Sequence, residues 1–152
     1  MILSVAGMNF SYPSRKVLQD INFSINVKDC VAILGTNGTG KSTLLKNLAR
    51  ILKPQNGAIY LKDKDYNDLS RMQIAQNIGY VAQHHNMLRS TVFDAVLLGR
   101  KPYIRWDASK QDLEIVNETI DALGLAPYAM RFTDELSGGE LQKVVIARAI
   151  AQ

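Results

Sequence analysis

One stretch, Gly35-Thr36-Asn37-Gly38-Thr39-Gly40-Lys41-Ser42-Thr43, constrains what this chain can fold into more than any other. It follows the apolar run Val31-Ala32-Ile33-Leu34, read as a buried strand, and leads into Leu44-Leu45-Lys46-Asn47-Leu48, read as helix. Strand, glycine-rich turn and helix are the context in which Gly-x-x-x-x-Gly-Lys-Ser becomes a phosphate site. Glycines let the backbone curl so that several N–H groups point into one concavity. The helix opening at Lys41 adds unpaired amides and the positive end of its dipole. Lys41 supplies a mobile cation for the outer phosphates, and the Ser42 hydroxyl is a hard oxygen ligand for Mg²⁺. The motif predicts a nucleoside triphosphate site.

Composition narrows the class. A chain of 152 residues that is 47% hydrophobic can bury a core. It has no apolar run near the ~20 residues that cross a bilayer, so a soluble chain is expected, with any membrane link made through a partner. A single cysteine, Cys30, excludes an internal disulfide and is read as a small core residue at a strand edge, in a reducing cytoplasm. The net charge of +4 is spread along the chain without a basic run or stripe, which argues against nucleic acid.

Along the chain, Ile2 to Phe10 and Val17 to Val27 alternate as two strands joined by a turn at Pro13-Ser14-Arg15. Gly57 to Lys62 and Ile78 to Ala82 read as further strands, with a short helix between them over Leu69 to Gln76. After Gln83 the chain turns helical. Thr91 and Asp94 form a capping pair, and a helix from about Lys110 to Leu123 places Leu113, Val116, Ile120 and Leu123 on one face before Gly124 stops it. A last helix starts near Gly138. The adjacent His84 and His85 would point apart and do not make a metal pair.

The segment Leu136-Ser137-Gly138-Gly139-Glu140-Leu141-Gln142 opens that last helix. Ser137 with Glu140 explains a helix cap, but two adjacent glycines weaken a first turn and instead expose backbone N–H groups to an anion. This segment, followed by Gln142-Lys143 and Ile146-Ala147-Arg148-Ala149, resembles the signature motif of the ABC (ATP-binding cassette) ATPases, and the phosphate loop has that family's form. The resemblance implies a P-loop NTPase, RecA-like α/β core with N-terminal antiparallel strands and an inserted helical subdomain. The expected division is 1–83, a nucleotide-binding core; 84–137, a helical subdomain; and 138–152, the signature helix returning to the core.

The same resemblance implies the roles. Tyr12 would stack on adenine; Gly35, Thr36, Asn37, Gly38, Thr39, Gly40, Lys41, Ser42 and Thr43 would cradle the phosphates; Gln83 would sense Mg²⁺ and the attacking water. Lys41 and Gln83 are the implied catalytic residues and Ser42 and Gln83 the implied metal contacts. Ser137, Gly138, Gly139 and Glu140 would meet the ATP held by a second cassette in a homodimer. Thr91 to Tyr103 and Asp112 to Gly124 resemble the branch that imports ferric siderophores, haem and cobalamin. That implies permease subunits as partners, a substrate-binding protein acting through them, and a place on the inner face of the cell membrane.

In the family an apolar strand ending in Asp-Glu follows the signature helix, then a switch histidine; neither occurs before Gln152. The sequence is therefore expected to be an incomplete cassette that binds ATP without completing its hydrolysis. A soluble ABC protein of DNA repair or translation is the alternative, disfavoured because no sustained heptads lie between Gln83 and Leu136. A non-catalytic short form that competes for cassette partners is another.

Overall fold

Alternation drives the first strands. In β1 (Leu3–Tyr12), Leu3 and Val5 face the core, and a register shift before Met8 returns Met8 and Phe10 to the same side. β2 (Arg15–Ile25) pairs antiparallel with it, and β3 (Asn56–Leu61) takes its other edge; β4 (Lys64–Asp65) closes a sheet of order β2-β1-β3-β4. The computed structural model describes residues 1–83 and 89–152, so His84 and His85 lie outside the described residues. The chain divides into two units, Met1–Ile74 and Ala75–Gln152.

In the first unit, α1 (Lys41–Leu48) buries Leu44 and Leu48 with Leu18 and Ile59 among the core residues. Tyr66 is buried and its hydroxyl donates to the Leu48 carbonyl at 2.8 Å, closing the C-terminal end of the helix. Arg50 Nη1 in turn donates to the Tyr66 carbonyl at 2.8 Å. Burial pushes the Tyr66 phenol well above the usual tyrosine range, so it stays a donor at any ordinary pH. The short helix α2 (Arg71–Ala75) follows Ser70, whose hydroxyl accepts from Gln73 N.

The second unit is helical. α3 (Val92–Leu97), α4 (Lys110–Ala122) and α5 (Gly138–Ala151) pack Val92, Val96, Val116, Ile120, Val144 and Ala147 into one core. Thr91 caps α3 by accepting from Asp94 N, and Gly124 leaves α4 at φ +65°, as expected of a helix stop. Gly99, in the turn after α3, lies so near α5 that a Cβ there would meet the Arg148 carbonyl oxygen at 2.2 Å. Backbone cannot yield to such an overlap, so only glycine fits.

Four expectations fail. Val31 to Leu34 and Ile78 to Ala82 join no strand among the described residues, and Leu34 is 90% exposed. An apolar run is a strand only when another segment completes its hydrogen-bond ladder, and no described segment pairs with either run. Cys30, beside the first run, is consequently exposed rather than in the core. Leu113 is 36% exposed, because the inward face of α4 carries Asp112, Val116, Thr119 and Ile120 instead. Among the described residues no helix is long and apolar enough to cross a membrane.

Candidate functional site

The phosphate loop takes its shape from where glycine stands. Gly40 has φ +98° and is the residue before α1; a Cβ on it would lie 2.8 Å from Val17 Cγ1 and 3.1 Å from Leu18 Cδ2. The left-handed conformation and the close approach of β2 both require glycine there. Gly40, as the N-cap of α1, has no side chain with which to cap it, so its first amides are left without an N-cap acceptor. An uncapped start beneath a curled loop, with no acidic residue in the first turn, suits an anion.

Lys41 Nζ folds back over the loop and donates to the Gly35 and Thr36 carbonyls at 2.8 and 2.7 Å. Thr39 Oγ1 donates to the same Thr36 carbonyl at 2.9 Å, which draws residues 35–41 into one ring. Ser42 is exposed at the helix start and Thr43 is buried beneath it. Arg15, at the start of β2, donates through Nη2 to the Gly38 carbonyl and so ties the β1–β2 hairpin to the tip of the loop. Neither role, of Arg15 or of Tyr66, is legible in the sequence, since no spacing pattern marks a side chain that meets a carbonyl far along the chain.

Tyr12 ends β1 opposite Arg15 and is 40% exposed, with its ring edge-on to Phe10 at a centroid distance of 5.0 Å. The contact fixes the ring without covering it. Tyr12 and residues 35–43 all belong to the first unit, whereas Gln83, exposed, and residues 137–140 belong to the second.

At the start of α5, Ser137 and Glu140 form a full capping box. Ser137 N and Oγ donate to Glu140 Oε2 at 2.8 and 2.7 Å, and Glu140 N donates back to Ser137 Oγ at 3.4 Å. The Ser137 hydroxyl and amide hold the Glu140 carboxyl below the usual carboxylate range. Gly138 and Gly139 are different from Gly40 and Gly99. Among the described residues a Cβ on either would meet nothing within 4 Å, and neither has a positive φ. The fold of this unit does not ask for glycine at these two places. Open space above an amide-rich helix start is what an approaching anion needs.

Comparison with known proteins decides the family. The family model described as "ABC transporter" matches residues 18–152. The chain belongs to the ABC transporter family. It is 51% identical over 152 residues to the uncharacterized ABC transporter ATP-binding protein MJ0089 of Methanocaldococcus jannaschii, covering 100% of this chain and 60% of that protein. It is 34% identical to the petrobactin import ATP-binding protein FpuC of Bacillus anthracis, covering 99% of this chain and 57% of that one. Among solved structures, cbiO1 of Clostridium perfringens, part of the ABC transporter complex cbiONQ, superposes with a TM-score of 0.79 at 30% identity, covering 99% of this chain and 61% of cbiO1. The chain thus spans about three-fifths of the length of these relatives.

Membership in the ABC transporter family means a P-loop NTPase fold. For a magnesium ion, the exposed Ser42 hydroxyl would offer one hard oxygen, and among the described residues no group of three or more His, Cys, Asp or Glu gathers around a possible site. A single hydroxyl fits a magnesium ion that takes its remaining oxygens from phosphates and water.

Tyr12 gives this ABC site a direct test. Tyr12→Ala is expected to weaken ATP binding by about 1–3 kcal/mol, the range for a base stacked on an aromatic ring. Tyr12→Phe should be nearly silent, since the hydroxyl is not needed for stacking. Titration of a fluorescent ATP analogue measures both, and equal behaviour of the two variants would exclude stacking on this ring.

Proposed function

We propose that this chain is the nucleotide-binding part of an ATP-binding subunit that powers an importer of ferric siderophores, haem or cobalamin. The observation that carries the reading is the uncapped start of α1 under a loop whose lysine is already folded over its carbonyls. In this reading residues 35–43 hold the phosphates and Tyr12 holds the adenine. Bound Mg²⁺ would neutralise phosphate charge, with Ser42 as its protein ligand and Gln83 reaching the metal and water side. Lys41 moves its donors from neutral carbonyls to phosphate oxygens, where each hydrogen bond is charge-assisted.

Two copies would face each other, with Ser137, Gly138, Gly139 and Glu140 of one toward the nucleotide of the other. The open space over both glycines supports that arrangement. ATP-driven closure would then act on a permease through the helical unit. There a groove of about 330 Å³ is lined by Leu97, Leu98, Ile104 and Ala108, beside Trp106, which is 99% exposed. An indole left wholly in water on an ABC family member suits a cytoplasmic segment of a membrane subunit.

The import class rests on the resemblance of Thr91 to Tyr103, and relatives named for petrobactin and for phosphonate import both match the chain. The test is ATPase activity of the full-length protein assembled with the permease from its own gene neighbourhood. Ferric siderophore, haem or cobalamin presented with its binding protein should stimulate turnover. Stimulation by a phosphonate alone would overturn the metal-chelate assignment, and absence of any Lys41-dependent turnover would overturn the whole reading.

A further inference from the structure

Arg100 stands at a junction that the phosphate chemistry does not use. It leaves the turn after α3 almost entirely buried, with its side chain 11% exposed and that of its partner Asp112 8% exposed. Arg100 Nε donates to Asp112 Oδ1 at 2.9 Å, and Arg100 Nη1 donates to the Ala151 carbonyl in the last turn of α5 at 2.8 Å. Asp112 is itself fixed, because its other oxygen accepts from Ser109 N and Oγ at the start of α4. A guanidinium is suited to this place: its planar fork serves a carboxylate and a carbonyl together while one face remains free to stack.

That face meets a ring. The Arg100 guanidinium carbon lies 3.9 Å from the Tyr103 ring centroid, and the Tyr103 hydroxyl donates to the Gln76 carbonyl at 2.9 Å. Gln76 Nε2 returns a bond to the Pro102 carbonyl at 2.8 Å. Gln152 Nε2, next to Ala151, donates to the Ala75 and Ile78 carbonyls at 2.6 and 3.0 Å. A Cβ on Gly79 would meet the Ala149 carbonyl oxygen at 2.9 Å, so the chain leading to Gln83 lies against the backbone of α5. The C-terminal end of α5 is thereby joined to the segment leading to Gln83, partly through side chains that neither the phosphate loop nor the signature segment uses.

We infer that Arg100, stacked on Tyr103 and bonded to Ala151, is a positioning residue that holds the Gln83 segment and the signature helix α5 in one fixed relation for ATP turnover. This rests on the proposed function. In that reading Gln83 serves the nucleotide of its own copy and residues 137–140 serve that of the facing copy, so a rigid link between them couples the two sites, and small misplacement costs rate more than binding. Tyr103 is the informative position, since among the described residues its hydroxyl bonds the Gln76 carbonyl alone and the residue is 40% exposed.

The experiment uses the full-length protein with Tyr103→Phe and Arg100→Lys. Loss of one such hydrogen bond is expected to lower kcat by about three- to tenfold, with KM for ATP and the unfolding midpoint little changed. Amides of residues 75–82 should exchange hydrogen faster in Tyr103→Phe, while those at the start of α5 keep the wild-type rate. Arg100→Lys, which retains the charge but neither the stack nor the fork, should lower kcat at least as far. Unchanged kcat in both variants overturns the inference, as does a fall in kcat that merely follows a lowered unfolding midpoint. Should the wild-type protein show no ATP turnover, the proposed function fails, and the exchange rates alone then decide the linkage: wild-type exchange in Tyr103→Phe overturns it.

Discussion

Lys41→Ala is expected to remove most ATP binding and to lower turnover of the full-length protein by about 10²-fold or more. The lysine folds over the loop, held there by the Gly35 and Thr36 carbonyls. These bonds are to neutral oxygens on an accessible surface, where each contributes little net stability. A triphosphate presents charged oxygens to the same ammonium, and those bonds are roughly twice as strong. The alanine variant therefore loses ligand affinity without losing the fold, and its unfolding midpoint should stay near that of the wild type. Lys41→Arg should not restore activity, because a planar fork cannot replace a compact ammonium among the curled carbonyls of residues 35 and 36. Turnover and the affinity of a fluorescent ATP analogue, measured beside the unfolding midpoint, test all three statements. Near-normal hydrolysis by Lys41→Ala would sink the assignment of the loop.

Much of this architecture could be read before any coordinates, for reasons that are local. The helix begins at Lys41 because a glycine that must be left-handed precedes it, and Gly-Lys-Ser announces that in sequence. Thr91, Ser137 with Glu140, and Gly124 mark their helix ends through contacts within three or four residues, so spacing alone locates them. The alternation of β1 and β2 is equally local, though not the shift after Val5 that lets Met8 and Phe10 rejoin the buried side.

What sequence could not give depends on a partner far along the chain. Val31 to Leu34 has the composition of a strand and yet joins no ladder among the described residues. Composition reports the tendency to be a strand, while pairing needs a second segment. Asp112 looks like an ordinary exposed acid in a helical first turn, but it is buried because Arg100 lies against it, and that displaces Leu113 toward solvent. Likewise Arg15 reaches Gly38 and Tyr66 reaches Leu48 by routes no periodicity encodes.

Gly138→Asp is expected to leave ATP binding by a single copy intact while abolishing ATP-driven association and turnover in the full-length protein. Among the described residues no steric ground for a folding defect exists: a Cβ at Gly138 meets nothing within 4 Å and the backbone is not left-handed. Electrostatics favour the substitution within one copy, since an acidic side chain in the first turn complements the positive end of α5. The capping box between Ser137 and Glu140 can persist beside it. The cost arises only when a second copy brings a triphosphate to that helix start. The new carboxylate would then stand where phosphate oxygens are expected, and like charges forced together cost several kcal/mol, or roughly 10²-fold or more in association. Gly138→Asn, similar in size but uncharged, should impair association less, which separates repulsion from bulk. Size-exclusion of the ATP-trapped protein, alongside titration of the nucleotide, measures both halves. A Gly138→Asp variant that binds ATP and dimerises like the wild type would mean that residues 137–140 do no more than cap a helix.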